Sequence, residues 1–296
     1  MYLRVVALAT VLLSTVLANA AEPSANPEVA TPTYRITTAE VHLTLTAVQQ
    51  QNRAMTNLSV SDFQVLRDGY AVNEIVSFES LENVPLSALV MTDISDSMLK
   101  GLPMERQATD WLKLNADASR DHLSFIDFGA EPESGRQRAN PHLTSLYDAL
   151  LETLPKLPSY GAGRRSLILF TDGEDNYSLH TLGEVISAAQ RYDIAIYAIT
   201  AHPSKKQSYR PDELQSLCEQ TGGRYFDVRK LEQMTAAVAE IASELRHGYE
   251  IVFRPETSTA GLHEIAIRPR TKGLRIFCRS AYYQPLIAAG EIANLR

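Results

Sequence analysis

Five side chains with oxygen donors stand at three points of the chain where they could together hold a metal ion. They are Asp93, Ser95, Ser97, Thr144 and Asp172. Oxygen-only ligand sets suit hard cations. Mg²⁺ takes near-octahedral coordination through one or two carboxylates, Mn²⁺ accepts the same ligands, and Ca²⁺ favours more donors at longer distances. The set therefore predicts a divalent-cation site for Mg²⁺, with Mn²⁺ or Ca²⁺ as alternatives.

The charge of this ligand set indicates what the ion would do. Asp93 and Asp172 are its two carboxylates, and the three hydroxyls are neutral, so they leave the positive charge of the ion only partly offset. Such an ion stays electrophilic and can accept a carboxylate at an open coordination position. We therefore expect capture of an acidic side chain of a protein partner through a metal bridge.

Two alternatives compete with a binding role. An aspartate after a strand, or Thr144 before a helix, is often only a helix cap. The ion could instead activate a water molecule in a metal-dependent hydrolase. In that case Asp96, Glu174 or Asp175 would act as the general base; otherwise these three residues form a solvated acidic rim. The chain contains no G-x-S-x-G, H-E-x-x-H or G-x-x-x-x-G-K-[ST] motif, so we expect no enzyme. A structural envelope protein with a vestigial metal site is a third alternative.

The region 84–246 must position these residues, and its pattern predicts an α/β fold. Short apolar runs typical of strands buried on both faces alternate with helical patterns. The runs are LSALVMTD, HLSFIDF, RSLILFT and DIAIYAIT, and the helical patterns span 104–119, 145–154, 182–191, 211–220 and 231–246. This alternation predicts a doubly wound, mainly parallel sheet, in which ligands bind beyond the carboxyl ends of the strands.

The flanking regions 34–80 and 247–285 have the two-residue period of half-buried strands. Val41, Leu43 and Leu45 alternate with polar residues, and three further strand candidates are GYEIVFRP, GLHEIAIRP and GLRIFCRSAYY. Neither region has enough strands to be stable alone. We therefore expect them to form one β-sandwich, into which the α/β region is inserted.

The chain ends and the overall charge bear on location and partners. Residues 1–20 have the pattern of a signal peptide cleaved after Ala20, too short in its apolar part to anchor the chain in a bilayer. A flexible leader at 21–33 and a tail at 286–296 complete the chain. We expect a secreted or periplasmic protein with no membrane span after cleavage. The net charge of −7 argues against nucleic acid as a partner.

The two cysteines could form a disulfide in an oxidising compartment or remain free thiols. Cys218 stands in a helical pattern beside Leu214 and Leu217, where a buried thiol is common. A disulfide with Cys278 is the alternative.

Beyond these patterns, the segments ALVMTDISDSM, TSLYDAL and LILFTDGEDN resemble the metal-ion-dependent adhesion site of von Willebrand factor A (VWA) domains. The segments LTAVQQQNRAMTNLSVSDFQVLRDG, LQSLCEQTGGRYFDVRKLEQM, GYEIVFRP and LRIFCRSAYYQP resemble secreted bacterial proteins of the acidobacterial VWA-related type. The resemblance spans nearly the whole chain after residue 20. It implies a VWA/Rossmann-like fold and a metal carried without catalysis, with no named partner.

The chain departs from that family pattern in two ways. Asn140-Pro141-His142-Leu143 replaces the usual Gly-rich turn before Thr144, which weakens the assignment of Thr144 as a ligand. The connection GAEPESGRQRANPHL is also short, so we expect an edge strand or helix to be missing there.

Overall fold

The computed structural model describes residues 40–49, 52–129, 144–160, 164–201, 210–255 and 259–285. These residues belong to one compact unit. The predicted signal peptide, leader and tail lie outside the described residues, as does nearly all of the short connection before Thr144. Among the helices of the described ranges, none has both the length and the apolar character needed to cross a bilayer.

The described ranges contain strands and helices in the following order. The strands are β1 (Val41–Gln49), β2 (Arg53–Ala54), β3 (Phe63–Arg67), β4 (Tyr70–Ala71), β5 (Ile75–Ser80), β6 (Leu86–Asp93), β7 (His122–Phe128), β8 (Arg164–Phe170), β9 (Ala195–Ala201), β10 (Tyr225–Val228), β11 (Tyr249–Phe253), β12 (Gly261–Pro269), β13 (Arg275–Cys278) and β14 (Ala281–Gln284). The helices are α1 (Leu102–Asn115), α2 (Leu146–Thr153), α3 (Leu182–Tyr192), α4 (Pro211–Thr221) and α5 (Leu231–Arg246).

Five parallel strands form the central sheet in the order β10-β9-β8-β6-β7. Alternate residues of one strand enter two different cores. Leu167 and Leu169 of β8 pack with α2, α3 and α4, whereas Ile168 and Phe170 pack with α1 and α5. The predicted mixed α/β fold with a helix-flanked parallel sheet is therefore confirmed.

The strand order reverses at β6. The chain passes from β6 to β7 on one side, and β8, β9 and β10 then follow on the other side. The carboxyl ends of β6 and β8 consequently flank the switch point of the sheet, where open α/β sheets bind their ligands.

Two details of the sequence prediction for this region are wrong. The sequence pattern missed β10, because it has only four residues and its exposed Asp227 interrupts an apolar run. The helix expected over 104–119 ends at Asn115, and residues after Ala116 turn so that Asp117 and Asp121 can pair with backbone amides.

The flanking strands form two antiparallel sheets. One has the order β13-β1-β11-β5, with β2 paired to β1, and the other has the order β14-β12-β3-β4. Val41 lies opposite Phe253, and Ile267 lies opposite Val65, so strands from both ends of the chain pair in each sheet. The turn Asp68-Gly69 joins β3 to β4 with positive φ at both residues.

The expected single strand GLRIFCRSAYY is instead two strands. β13 pairs with β1 and β14 pairs with β12, so the chain changes sheet at Arg279 and Ser280. Arg279 donates to the carbonyls of His42 and Gln190 at this corner.

Both cysteines are free thiols, with Cys218 buried and Cys278 half-buried.

A buried arginine joins the first residue of β8 to the end of α5, just before the chain enters β11. The guanidinium of Arg164 donates to the carbonyls of Glu244 and Leu245, which end α5, at 3.2 and 2.8 Å. Gly248 lies directly over this guanidinium, and a Cβ there would stand 2.0 Å from Arg164 Nη1. The absence of a side chain at Gly248 is thus what admits Arg164.

We predict that Gly248→Ala lowers the free energy of unfolding by about 3 kcal/mol, because the methyl group displaces Arg164 from both carbonyls. Gly183→Ala is the matched control, since a Cβ there has no neighbour nearer than 4.0 Å. That variant should stay within about 1 kcal/mol of the original chain. Urea unfolding of both variants measures the difference, and equal stabilities would contradict the proposed close approach.

Candidate metal site at the switch point of the sheet

The predicted carboxylates lie at the ends of two neighbouring strands. Asp93 is the last residue of β6, and Asp172 comes two residues after the end of β8. The pairing of these strands runs to Thr92 opposite Phe170, so the two aspartates emerge at the same edge of the sheet. Both are buried, as are Ser95 and Thr144.

Two hydrogen bonds hold the Asp93 carboxylate in place. Ser95 N donates to Oδ1 at 2.9 Å, and the Thr171 hydroxyl donates to Oδ2 at 2.8 Å. The hydroxyl oxygens of Ser95 and Ser97 are 3.0 Å apart. Asp93, Ser95 and Ser97 are therefore brought together, and none caps a helix, since α1 begins after Gly101.

The loop after β8 is held in shape by a glycine. Gly173 has φ of +79°, and a Cβ there would lie 2.9 Å from Leu214 of α4. Only glycine adopts this conformation without strain and fits this space. Glu174 N then donates to Asp172 Oδ1 at 3.1 Å, which orients the second carboxylate.

Thr144 is fastened to that same loop through Asn176. Thr144 N donates to Asn176 Oδ1 at 2.9 Å, and the Thr144 carbonyl accepts from the backbone amides of Asn176 and Tyr177 at 3.1 Å each. The N-cap of α2 is Ser145, with no side-chain capping bond, so the Thr144 hydroxyl does not serve as the cap. Three loops thus meet at one edge of the sheet.

The donor set fits a hard divalent cation. All five side chains offer oxygen, four of them are buried, and burial together with nearby Asp172 raises the pKa of Asp93 to about 6. A cation would relieve that penalty on the ionised form. Within the described ranges no group of three or more His, Cys, Asp or Glu side chains could hold a metal ion, so the fit depends on the three hydroxyls as well as on the two aspartates.

Sequence reasoning missed three residues that shape this edge. Thr171 orients Asp93, and Asn176 fastens Thr144; neither spacing carries a recognisable signal. The third is Glu105 of α1, whose side chain is fully buried. Burial, with the negative charges of Asp93, Asp172 and Asp127, raises the pKa of Glu105 to about 8.

Two of the three acidic neighbours named as a possible hydrolytic base are engaged in the loop that follows β8. Asp175 Oδ1 accepts from the backbone amides of Tyr177 and Ser178 at 3.4 and 3.1 Å. Glu174 Oε1 accepts from the Asn176 side-chain amide at 3.4 Å. Both carboxylates therefore take part in holding the loop that carries Asp172.

Compared by sequence, the chain matches no known family and no curated protein. Solved structures with a similar fold include VWA domains. A von Willebrand factor type A protein from Catenulispora acidiphila is 11% identical, with a TM-score of 0.43, over 85% of this chain and 74% of its own. The SpRpn10 VWA domain is 10% identical, with a TM-score of 0.38, over 55% of this chain and 97% of its own.

The PilB minor pilin from Streptococcus sanguinis is 13% identical, with a TM-score of 0.40, over 55% of this chain and 61% of its own. Likeness at this level carries no conclusion about a metal or a partner of this chain.

The raised pKa values predict the pH dependence of the metal-free protein. Folded Asp93 and Glu105 keep their protons to about pH 6 and about pH 8, well above their ordinary pKa values of 3.8 and 4.5. The native state then binds more protons than the unfolded state across this window. The free energy of unfolding should therefore fall by a few kcal/mol as the pH rises from about 4 to about 8.

Thermal unfolding in EDTA, at several values between about pH 5 and pH 8, measures this effect. The pKa values of Asp121 and Asp148 are lowered, so these two groups change the free energy of unfolding only below this pH window. They therefore do not offset the expected loss of stability. Saturating Mg²⁺ should flatten the profile, because the ion favours the ionised carboxylates. A midpoint in EDTA that rises toward pH 8 would contradict the prediction.

Metal affinity should depend on the two aspartates more than on the hydroxyls. We predict that Asp93→Ala and Asp172→Ala each abolish divalent-ion binding in calorimetry. Ser97→Ala should weaken binding less, because a water can replace a hydroxyl. Circular dichroism checks that each variant is folded. Unchanged binding in folded Asp93→Ala would place the ion elsewhere.

Proposed function

We propose that the chain is an exported, non-enzymatic binding protein of the VWA type. Its divalent ion, Mg²⁺ or alternatively Mn²⁺ or Ca²⁺, is held by Asp93, Ser95, Ser97, Thr144 and Asp172. An acidic side chain of a protein partner completes the coordination. The two antiparallel sheets form the β-sandwich into which the α/β region is inserted, and the signal-like residues 1–20 direct the chain to the periplasm or the exterior.

The observation that carries this proposal is the apolar surface of the loops that hold the donors. Ile94 and Leu99 are exposed in the loop after β6, and Tyr177 and Leu179 are exposed in the loop after β8. Leu179 is 92% exposed. Large apolar side chains exposed in the loops that carry the polar donors are typical of protein-binding surfaces, whose cores exclude water around a few charged contacts.

The surrounding surface would strengthen the metal bridge. When these apolar side chains close against a partner, the contact between its carboxylate and the ion loses water. Removal of the ion would then leave the partner carboxylate buried and unpaired, which costs several kcal/mol. The framework does not need the ion to fold, because the cores of the parallel sheet are apolar on both faces.

The test is capture of a partner from the envelope extract of the source cell by the purified protein, in Mg²⁺ or in EDTA. We predict that EDTA and Asp93→Ala each weaken capture by at least about a hundredfold. Circular dichroism should remain unchanged. Thr144→Ala should weaken capture similarly if Thr144 is a ligand.

A second pair of variants separates the apolar surface from the metal. Leu179→Arg should weaken capture while metal affinity is retained. Leu114→Arg is the matched control, because Leu114 is 83% exposed at the opposite end of α1. A partner captured equally well in EDTA and by Asp93→Ala would refute the metal bridge and assign recognition to another surface.

A further inference from the structure

His263 of β12 is a buried histidine with a hydrogen-bonding group against each ring nitrogen. Its Nδ1 lies 2.8 Å from Asp68 Oδ2. Its Nε2 lies 2.8 Å from the Thr259 carbonyl oxygen and 3.0 Å from Arg67 Nη2. The carbonyl can only accept a hydrogen bond, whereas the guanidinium can only donate one. One ring nitrogen therefore faces two groups that require opposite behaviour from it.

The groups on either side of this ring are held in place by other contacts. Asp68 N donates to Glu264 O at 3.0 Å, and Glu264 N donates to Asp68 Oδ1 at 3.0 Å. Arg67 donates to Tyr282 OH at 2.8 Å through Nε, and to Gln284 Oε1 at 3.2 Å through Nη2. Because both neighbours are fixed, the protonation state of the ring decides which contact at Nε2 is a hydrogen bond.

The carboxylate of Asp68 determines where the ring carries its protons. Burial opposes ionisation, but hydrogen bonds from His263 and from Glu264 N keep the pKa of Asp68 below its ordinary value. An ionised carboxylate only accepts, so Nδ1 carries a proton whether the ring is charged or neutral. The other titratable or charged groups that face the ring are Arg67 of β3 and Tyr282 of β14, whose ring centroid is 5.6 Å away. The proton that is gained and lost is therefore the one on Nε2.

We propose that His263 is a proton switch that fastens Thr259 when the ring is charged and releases it when the ring is neutral. In the charged form Nε2–H donates to the Thr259 carbonyl, and Asp68 balances the positive charge. In the neutral form the lone pair on Nε2 accepts from Arg67 and repels the Thr259 carbonyl. Acid thus tightens the approach to β12, and a rise in pH loosens it.

The switch acts where the chain enters β12 from the connection that follows β11. Thr259 precedes this strand, and Gly261 bends the chain with φ of +130°, so that the Thr259 carbonyl meets a ring four residues further on. None of the residues of the switch is among the proposed metal ligands. The inference therefore goes beyond the proposed function, and it can fail or succeed independently of the metal site.

Nuclear magnetic resonance of the ¹³C- and ¹⁵N-labelled full chain, from about pH 5 to about pH 8.5, tests the ring directly. The neutral ring of His263 should carry its proton on Nδ1, because Asp68 can only accept. The carbonyl carbon resonance of Thr259 should shift with the same midpoint as the two ring nitrogens. A neutral ring protonated on Nε2 would overturn the proposal, since the Thr259 carbonyl would then be bound at every pH.

Hydrogen exchange, corrected for the intrinsic rate at each pH, tests the consequence for the backbone. Relative to the amides of β1, those of Gly261 and Leu262 should exchange at least about threefold more slowly at pH 5.5 than at pH 8. His263→Gln should remove this difference, because a glutamine side chain does not titrate. His122→Gln is the matched control, since His122 is an exposed histidine of β7 outside the switch, and it should keep the difference.

Two results of the exchange experiment would also overturn the proposal. One is equal relative exchange at both pH values in the original chain. The other is a difference that persists in folded His263→Gln, which would assign the pH dependence to another group. If His263→Gln does not fold, the position of the ring proton and the Thr259 carbonyl resonance in the original chain still decide the question.

Discussion

Burial of the central sheet on both faces is the constraint from which the rest of the structure follows. Residues of one strand alternate between two apolar cores, as Leu169 and Phe170 do in β8, so polar side chains find room mainly where strands end. The reversal of strand order at β6 separates the helices there and opens that edge. Asp93, Ser95, Ser97 and Asp172 accordingly lie at or just after the carboxyl ends of β6 and β8.

Buried carboxylates close together at this edge repel one another when ionised, and they differ in how many hydrogen bonds stabilise them. Asp93 receives two hydrogen bonds, from Ser95 and Thr171, and Asp172 receives one from Glu174. Glu105 receives none within the described ranges. The dense hydrogen bonding of the loops fixes where donors stand, whereas the remaining negative charge requires a cation or protons. Stability of the metal-free framework and affinity for the proposed ion are therefore opposed at this edge.

The amino-acid sequence by itself determined the elements and the chemistry of the donors. Continuous apolar runs such as LSALVMTD mark doubly buried strands, and β6 spans these eight residues. The α5 pattern over 231–246 likewise agrees with the observed helix. Oxygen-bearing residues directly after such runs indicate a hard-cation site, because strand ends of a parallel sheet share one edge. These inferences depend on local periodicity, which a sequence carries directly.

Only the tertiary structure decided what depends on contacts between distant segments. β10 is too short to give a periodic signal, and it forms because it pairs with β9. β13 and β14 are separate strands because β13 pairs with β1 and β14 pairs with β12. Thr144 is fastened by Asn176, 32 residues away. Glu105 resembles any surface helix residue in the sequence, and its burial follows from how α1 packs on the sheet. Pairing and burial are relations between separate parts of the chain, and no local pattern encodes them.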